Sequence, residues 1–522
     1  MRNGSQEKKV LLRISHLKQW FPLKKSGFGG EQLYVKANDD ISIDIYQGET
    51  LGLVGESGCG KSTFGRVLLQ LYHQTEGKTM YYGRTLDSLA PEYVEKTLKK
   101  LTQNRTKLRE LEAKRDQLVR EYEALDEKSQ YAKKAEKDKA VKEAHDLFLD
   151  MAQLIGGFLA AEDLEPVSQV FLKEHRIAVE LHKLREARDR LNVDRETLLG
   201  EAQERKAAGK SADSLNGRAA RLQQEIDRQQ AVISGREKDL EAVRAEIERM
   251  RGAYAGNELF AKYEAYRDDG IDLAKLNYSE MRQLRKDLQL IFQDPYSSLN
   301  PRMTVGQIIG EGLLAHGFFK KNDARMMDYV MKTMEDCGLA SYMIHRYPHQ
   351  FSGGQRQRIG IARSLAVKPK FVVCDEAVSA LDVSIQSQVI NLLEDLKEKE
   401  NLTYLFITHD LSVVKYISDR VAVMYLGNVM ELAASEAIFS HPLHPYTEAL
   451  LLAIPTTDLD HRKQIVPLEG DIPSPIKPPK GCKFHTRCKY ATDVCREVTP
   501  DFVEAEPGHF VACHHPVDHK VI

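Results

Sequence analysis

The chain has 522 residues, 42% of them hydrophobic, enough for two or three packed domains. Its 77 Asp and Glu nearly cancel its 75 Lys and Arg, so total charge gives no reason to expect nucleic acid or an anionic membrane as the obligatory partner. The opening MRNGSQEKKVLLRIS lacks the apolar stretch of a secretory signal, and no run reaches the roughly 18 apolar residues of a membrane helix, so a soluble, cytoplasmic chain is expected.

The first informative segment is ETLGLVGESGCGKSTFGRVLLQL, residues 49–71: an apolar strand, a glycine-containing turn and a helix with an apolar face. The turn runs Gly55, Glu56, Ser57, Gly58, Cys59, Gly60, Lys61, Ser62, Thr63 and fits GxxxxGK[ST]. Its glycines let the backbone turn its N–H groups onto phosphate oxygens, and the helix N-terminus adds partial positive charge. Lys61 is placed to reach β- and γ-phosphates and Ser62 to ligate Mg²⁺, which makes this stretch a nucleotide site.

From residue 90 to 277 the chain is rich in Lys, Glu, Arg, Ala and Leu and poor in glycine, with a coiled-coil rhythm. A first arm spaces Leu101, Leu108 and Tyr122 on one seam position and Leu111, Leu118 and Leu125 on the other. A last arm runs Ala219, Leu222, Ile226, Ile233, Leu240, Val243, Ile247 and Met250, while Arg115, Gln229 and Arg236 interrupt the seams. AHDLFLDMAQLIGGFLA and VSQVFLKEHRIAVELHKL between the arms read as shorter helices at a tip. An antiparallel hairpin with a helical head is expected, Leu215 to Arg251 alone spanning about 55 Å, with disorder as the plainer alternative for so charged a segment.

LQLIFQDPYSSLNP, residues 288–301, reads as an apolar strand entering a loop at Gln293 and Pro295. HQFSGGQRQRIGIARSLAVKPK places Ser352, Gly353 and Gly354 before an Arg-bearing amphipathic helix, a second set of helix N-terminal donors for phosphate. KFVVCDEAVSALD ends an apolar strand in Asp375 and Glu376, at the edge where parallel α/β sheets bind ligands. There Asp375 suits Mg²⁺, and Glu376 suits orienting or deprotonating an attacking water.

These segments resemble the motif set of ATP-binding cassette ATPases: Walker A at Gly55 to Ser62, a Q-loop at Gln293, the signature FSGGQ, Walker B ending in Asp375 and Glu376, a D-loop SALD at Ser379 to Asp382, and a switch His409 in LFITHD. The resemblance implies an α/β P-loop fold with a RecA-like core and antiparallel β and helical subdomains. It further implies catalytic roles for Glu376, His409 and Gln293, and Mg²⁺ held by Ser62, Gln293 and Asp375. His409 would contact the γ-phosphate, and Gln293 would couple nucleotide state to a permease. Ser352, Gly353, Gly354, Gln355 and Asp382 would complete the ATP site of a partner subunit, and Tyr34 would stack on adenine. Phe351 replaces the usual leucine and DEAVSALD the usual DEPTSALD, both sparing the phosphate contacts.

Gln293 lies 232 residues after Lys61, and removing 90–277, 188 residues, leaves 44, a spacing that an uninterrupted cassette bridges. The expected organisation is therefore 1–89 and 278–455 for the ATPase, 90–277 for an insertion and 456–522 for a Cys-rich tail. Chromosome-maintenance and break-repair ATPases also split a cassette with coiled coil, but after the Q-loop; here the interruption precedes Gln293, which argues against a DNA-maintenance role. IFQDPYSSLNPRMTVGQII, HPLHPYTEALLLAIP and LEGDIPSPIKPPKGCKFHTRC are similar to ATPase subunits of oligopeptide and dipeptide importers, a group that includes nickel importers. That likeness implies a homologous second ATPase subunit, two transmembrane permease subunits, an extracytoplasmic substrate-binding protein, and a seat on the cytoplasmic face of the membrane, with no nucleic acid.

Cys482, Cys488, Cys495 and Cys513 stand in a Pro- and Lys-rich tail with little apolar material. Four thiols suit tetrahedral sulfur ligation of a [4Fe–4S] cluster or Zn²⁺, with free cysteines or disulfides as the plainer readings. The absence of a CxxC pair weakens zinc, and the importer resemblance implies the cluster. His485, His514 and His515 are substitute ligands or solvated; Cys59, Cys337 and Cys374 are expected to be packing residues.

Overall fold

In the N-terminal segment, alternation sets the strands. Val10–Pro22 (β1) pairs antiparallel with Tyr34–Tyr46 (β2), in which Ile41, Ile43 and Ile45 are buried at period two. Thr50–Val54 (β3) is buried at every position, as a central parallel strand should be, while Glu76–Tyr81 (β4) pairs with the other edge of β1. Leu288–Ile291 (β5), Phe371–Asp375 (β6), Thr403–Ile407 (β7), Arg420–Tyr425 (β8), Asn428–Ala434 (β9), Val503–Glu506 (β10) and His509–Val511 (β11) complete an eight-stranded sheet in the order β10-β11-β9-β8-β3-β7-β6-β5. The run from β8 through β3, β7 and β6 to β5 is parallel; β9, β10 and β11 add an antiparallel edge.

This computed structural model describes residues 8–24, 32–321, 323–453, 468 and 470–517. One unit comprises 1–83, 281–318 and 325–522, the other 84–280 and 319–324. The expected boundary at 455/456 and the first seven residues of the N-terminus lie outside the described residues.

The second unit is helical, and it differs from the single hairpin expected. Leu101–Glu123 folds back on Glu127–Ile155, with Lys133 paired to Glu121 at 2.8 Å across the turn. Asp213–Gly252 lies antiparallel to Glu165–Ala207: Lys173 meets Glu246, Arg185 meets Glu237 and Arg188 meets Gln230, one number rising as the other falls. The two arms read from the sequence are therefore not each other's partners. VSQVFLKEHRIAVELHKL is no tip but part of a 43-residue helix, and AHDLFLDMAQLIGGFLA closes the second helix with a 3₁₀ turn at Gly156–Ala160. The seam is still the buried face: Ala219, Ile226, Ile233, Leu240, Val243 and Ile247 are all buried. Phe158, Phe171 and Phe260 gather with Leu101, Leu108, Ile155 and Ile247 in one apolar cluster.

The tail also departs from expectation. It is not a piece short of packing partners: β11 pairs with β9 through Glu431 opposite Val511, and Cys482, Phe484 and Cys495 share a buried cluster with Val54, Tyr425 and Tyr446.

Candidate functional site

The phosphate loop follows β3 directly into the Lys61–Leu68 helix. Gly60 has φ 103°, and a Cβ there would collide with the Ala37 carbonyl oxygen, so the turn accepts only glycine. Asn38 fastens the same point by donating from Nδ2 to the Gly60 carbonyl at 3.1 Å. Lys61 is buried and curls over the loop, its Nζ donating to the carbonyls of Gly55 at 2.7 Å and Glu56 at 3.0 Å. Its neighbour Cys59 is buried, and burial raises its thiol pKa.

β6 delivers Asp375 to the loop. Ser62 Oγ donates to Asp375 Oδ1 at 2.6 Å, and Arg66 Nη2 stands 3.5 Å from Oδ2. The next residue, Glu376, adopts the left-handed φ of 48°, which turns its carboxylate aside from the strand direction. Gln293 Nε2 donates to Glu376 Oε2 at 2.6 Å, and His409 Nδ1 lies 3.5 Å from Oε1. Residues 33 to 313 positions apart thus converge into a pair, Ser62 with Asp375, and a trio, Gln293 and His409 with Glu376.

Ser352, Gly353, Gly354 and Gln355 form a separate helix start. The Ser352 hydroxyl accepts from the Gln355 amide at 3.3 Å and the Gln355 side chain accepts from the Ser352 amide at 3.1 Å, a reciprocal cap on Gly353–Leu365. Gly354 is required by packing, since a Cβ would strike Ile385 Cγ2 on the Val383–Glu400 helix. Asp382 is exposed just before that helix. Phe351, Ala377 and Val378, where the sequence leaves the common pattern, are buried and apolar, so these changes touch packing. Tyr34 is exposed at the start of β2, its ring 6.1 Å from that of Trp20. No spacing rule pointed to Arg66, Asn38 or Arg487; the last reaches the loop from 431 residues away, donating to Glu56.

Cys482, Cys488, Cys495 and Cys513 line one small cavity with Phe484, His485 and Tyr490. All four are free thiols. Burial pushes Cys482 up to about 11 and Cys513 up to about 12, and it raises Cys488 as well. Backbone amides aim at the sulfurs: those of Phe484 and His485 at Cys482, that of Tyr490 at Cys488, and that of His515 at Cys513 at 3.4 Å. Such donors suit a group carrying negative charge on sulfur. Among the described residues no three His, Cys, Asp or Glu side chains converge tightly enough to hold a single metal ion. Cys59, Cys337 and Cys374 are buried packing residues.

The ABC transporter family matches residues 38–161 and 258–379, and the C-terminal region of oligopeptide/dipeptide transporters matches 430–495. A putative peptide import ATP-binding protein of Brucella ovis is 55% identical over 245 residues, 47% of this chain and 77% of that protein. The chain belongs to the ABC transporter ATP-binding family. The oligopeptide transport ATP-binding protein AppF of Bacillus subtilis is 52% identical over 248 residues, 47% of this chain and 75% of its own length. Most of a relative is thus aligned with less than half of this chain, and the ABC match breaks between 161 and 258, inside the helical unit. No helix among the described residues is long and apolar enough to cross a membrane.

Proposed function

We propose that this ABC ATPase drives uptake of oligopeptides or dipeptides, seated at the cytoplasmic face of the membrane on two permease subunits and paired with a homologous second ATPase. An extracytoplasmic binding protein would deliver the peptide. The observation that carries this reading is the identity with peptide import ATP-binding proteins over three quarters of their length, together with an intact Ser62–Asp375 and Gln293–Glu376–His409 arrangement.

In the proposed cycle, ATP phosphates lie on the backbone amides of Gly58 to Ser62, and Lys61 exchanges the Gly55 and Glu56 carbonyls for β- and γ-oxygens. Ser62 and Asp375, which share a hydrogen bond, would hold Mg²⁺ together with Gln293, and the ion would neutralise phosphate charge. Glu376 orients the water and takes its proton, and His409 donates toward the γ-phosphate. Tyr34 stacks on adenine. The capped start Ser352–Gln355 and the exposed Asp382 close over the partner's nucleotide, so ATP joins the two cassettes and hydrolysis releases them. The long paired helices act as a coiled-coil insertion in the cassette, at 90–277.

Cys482, Cys488, Cys495 and Cys513 hold a [4Fe–4S] cluster in this proposal. The four thiols line one small cavity, and backbone amides of Phe484, His485, Tyr490 and His515 donate to their sulfurs, which supports a thiolate-bound group there. When bound, the cluster supplies the thiolate-compensating positive charge that the buried sulfurs lack.

The function is tested by recovering the complex from native membranes and measuring its ATP hydrolysis in liposomes with and without peptide-loaded binding protein. Peptide-stimulated hydrolysis with peptide accumulation is expected; a complex that hydrolyses ATP and is indifferent to every oligopeptide and dipeptide overturns the substrate assignment.

A further inference from the structure

Glu56, the first variable residue of the phosphate loop, is gripped from the C-terminal tail. Arg487 Nη1 donates to Glu56 Oε2 at 2.7 Å and Nη2 to Oε1 at 3.1 Å, a two-pronged pair in which the arginine side chain is only 4% exposed. The hydrogen bonds to Glu56 raise the Arg487 pKa, so the guanidinium stays charged. Tyr446 holds the other end of the same residue: its hydroxyl oxygen accepts from the Glu56 backbone amide at 2.9 Å. The rings of Tyr425, Tyr446 and Phe484 pack around this contact in tilted and edge-on pairs, with centroids 4.8 to 5.3 Å apart. Arg487 ends the short His485–Arg487 turn, which lies between Cys482 and Cys488, so its place is set by the cysteine loop.

The arrangement answers an electrostatic problem. A carboxylate inside a loop that must receive a polyanion opposes binding, and at short range in a half-buried site that repulsion is substantial. Arg487 cancels it and, with Tyr446, fixes the backbone whose amides must point at phosphate before the ligand arrives. We infer that Arg487 is a positioning residue for ATP, neutralising and aiming the phosphate loop through Glu56, and that nucleotide affinity thereby depends on the four-cysteine tail. The inference rests on the ATPase reading above.

The test measures the ATP dissociation constant of the full chain by calorimetry, for wild type, Arg487→Ala, Arg487→Lys and the double variant Arg487→Ala/Glu56→Gln, with Arg496→Ala, an exposed arginine of the same tail, as reference. Arg487→Ala should weaken ATP by about ten- to a hundredfold, the range for a lost charged hydrogen-bonded pair. Arg487→Lys should fall between, because one point charge replaces a fork. Adding Glu56→Gln to Arg487→Ala should recover most of the loss, since the offending charge is gone. That rescue separates charge neutralisation from general damage, because weakening that does not arise from an unneutralised Glu56 carboxylate gains nothing from Glu56→Gln. Cys488→Ser should weaken ATP in the same direction and be eased by the same second change. Unchanged affinity in Arg487→Ala, or a loss that Glu56→Gln leaves in place, overturns the inference. Failure of wild type itself to bind ATP would instead strike the ATPase reading.

Discussion

Replacing Glu376 by Gln changes one atom, and the surroundings of that residue say why the effect should be chemical. Gln293 donates to one carboxylate oxygen at 2.6 Å and His409 stands 3.5 Å from the other. A glutamine fits the same volume, turns its carbonyl oxygen to Gln293 and offers its amide to the His409 ring, so both neighbours keep a partner. The left-handed backbone at this position is equally strained for either residue. Lost is the ability to accept a proton. General-base assistance contributes about 10²- to 10⁴-fold, roughly 3 to 5 kcal/mol of barrier. Glu376→Gln should therefore bind MgATP much as wild type does in equilibrium titration, while single-turnover phosphate release slows by about 10² or more. Near-normal phosphate release would refute the assignment of Glu376 and move the base to another group.

Ser62→Ala removes both the hydroxyl that Asp375 now accepts from and a proposed Mg²⁺ ligand, so the Mg²⁺ concentration for half-maximal hydrolysis should rise while metal-free ATP binding changes little; an unmoved Mg²⁺ dependence would exclude Ser62 from the metal. Ile233 is fully buried against Leu181 and Leu240 in the long helix pair, and Ile233→Ala should cost about 2 to 4 kcal/mol there, seen as an earlier melting step by circular dichroism, with ATP affinity retained. Loss of ATP binding in that variant would show that the helical unit belongs to the nucleotide core. Anaerobically purified chain should be brown with about four irons, and Ser at Cys482, Cys488, Cys495 or Cys513 should each abolish the colour whereas Cys337→Ser should not; stoichiometric zinc without iron would defeat the cluster.

What could be read from the sequence and what could not divide along a physical line. The phosphate loop is local chemistry: every group it needs lies within nine residues, and glycine and lysine at fixed spacing have few other uses. Asp375 and Glu376 were legible because a wholly apolar strand ending in acids leaves them at a sheet edge. Arg487 on Glu56 was not, because an ion pair between residues 431 apart leaves no periodic trace, and arginine in a basic tail looks solvated until the fold buries it.

The helical unit shows the same limit in another form. A heptad seam records that a helix has a face to bury: on 213–252 the seam residues Ala219, Ile226, Ile233, Leu240, Val243 and Ile247 are buried, whereas on 101–123 only Leu101 and Leu108 of the seam are. It does not record which face meets which, since leucine and isoleucine pack against any apolar ridge. Pairing is decided by connection length and by specific polar matches: the tight turn near Asp126 forces 101–123 onto its own successor, and the rungs Arg185–Glu237 and Arg188–Gln230 fix 165–207 against 213–252. Beyond Leu184 the first of these two helices continues through a charged run that masks its periodicity, yet Thr197 and Leu198 are buried, and Thr197 donates to Asp323 at 2.9 Å. The buried face itself runs on, Leu198 and Ala202 packing with Leu215 and Ala219 of the antiparallel helix, and the hydroxyl of Thr197 finds a partner 126 positions away, which no periodicity in the sequence records.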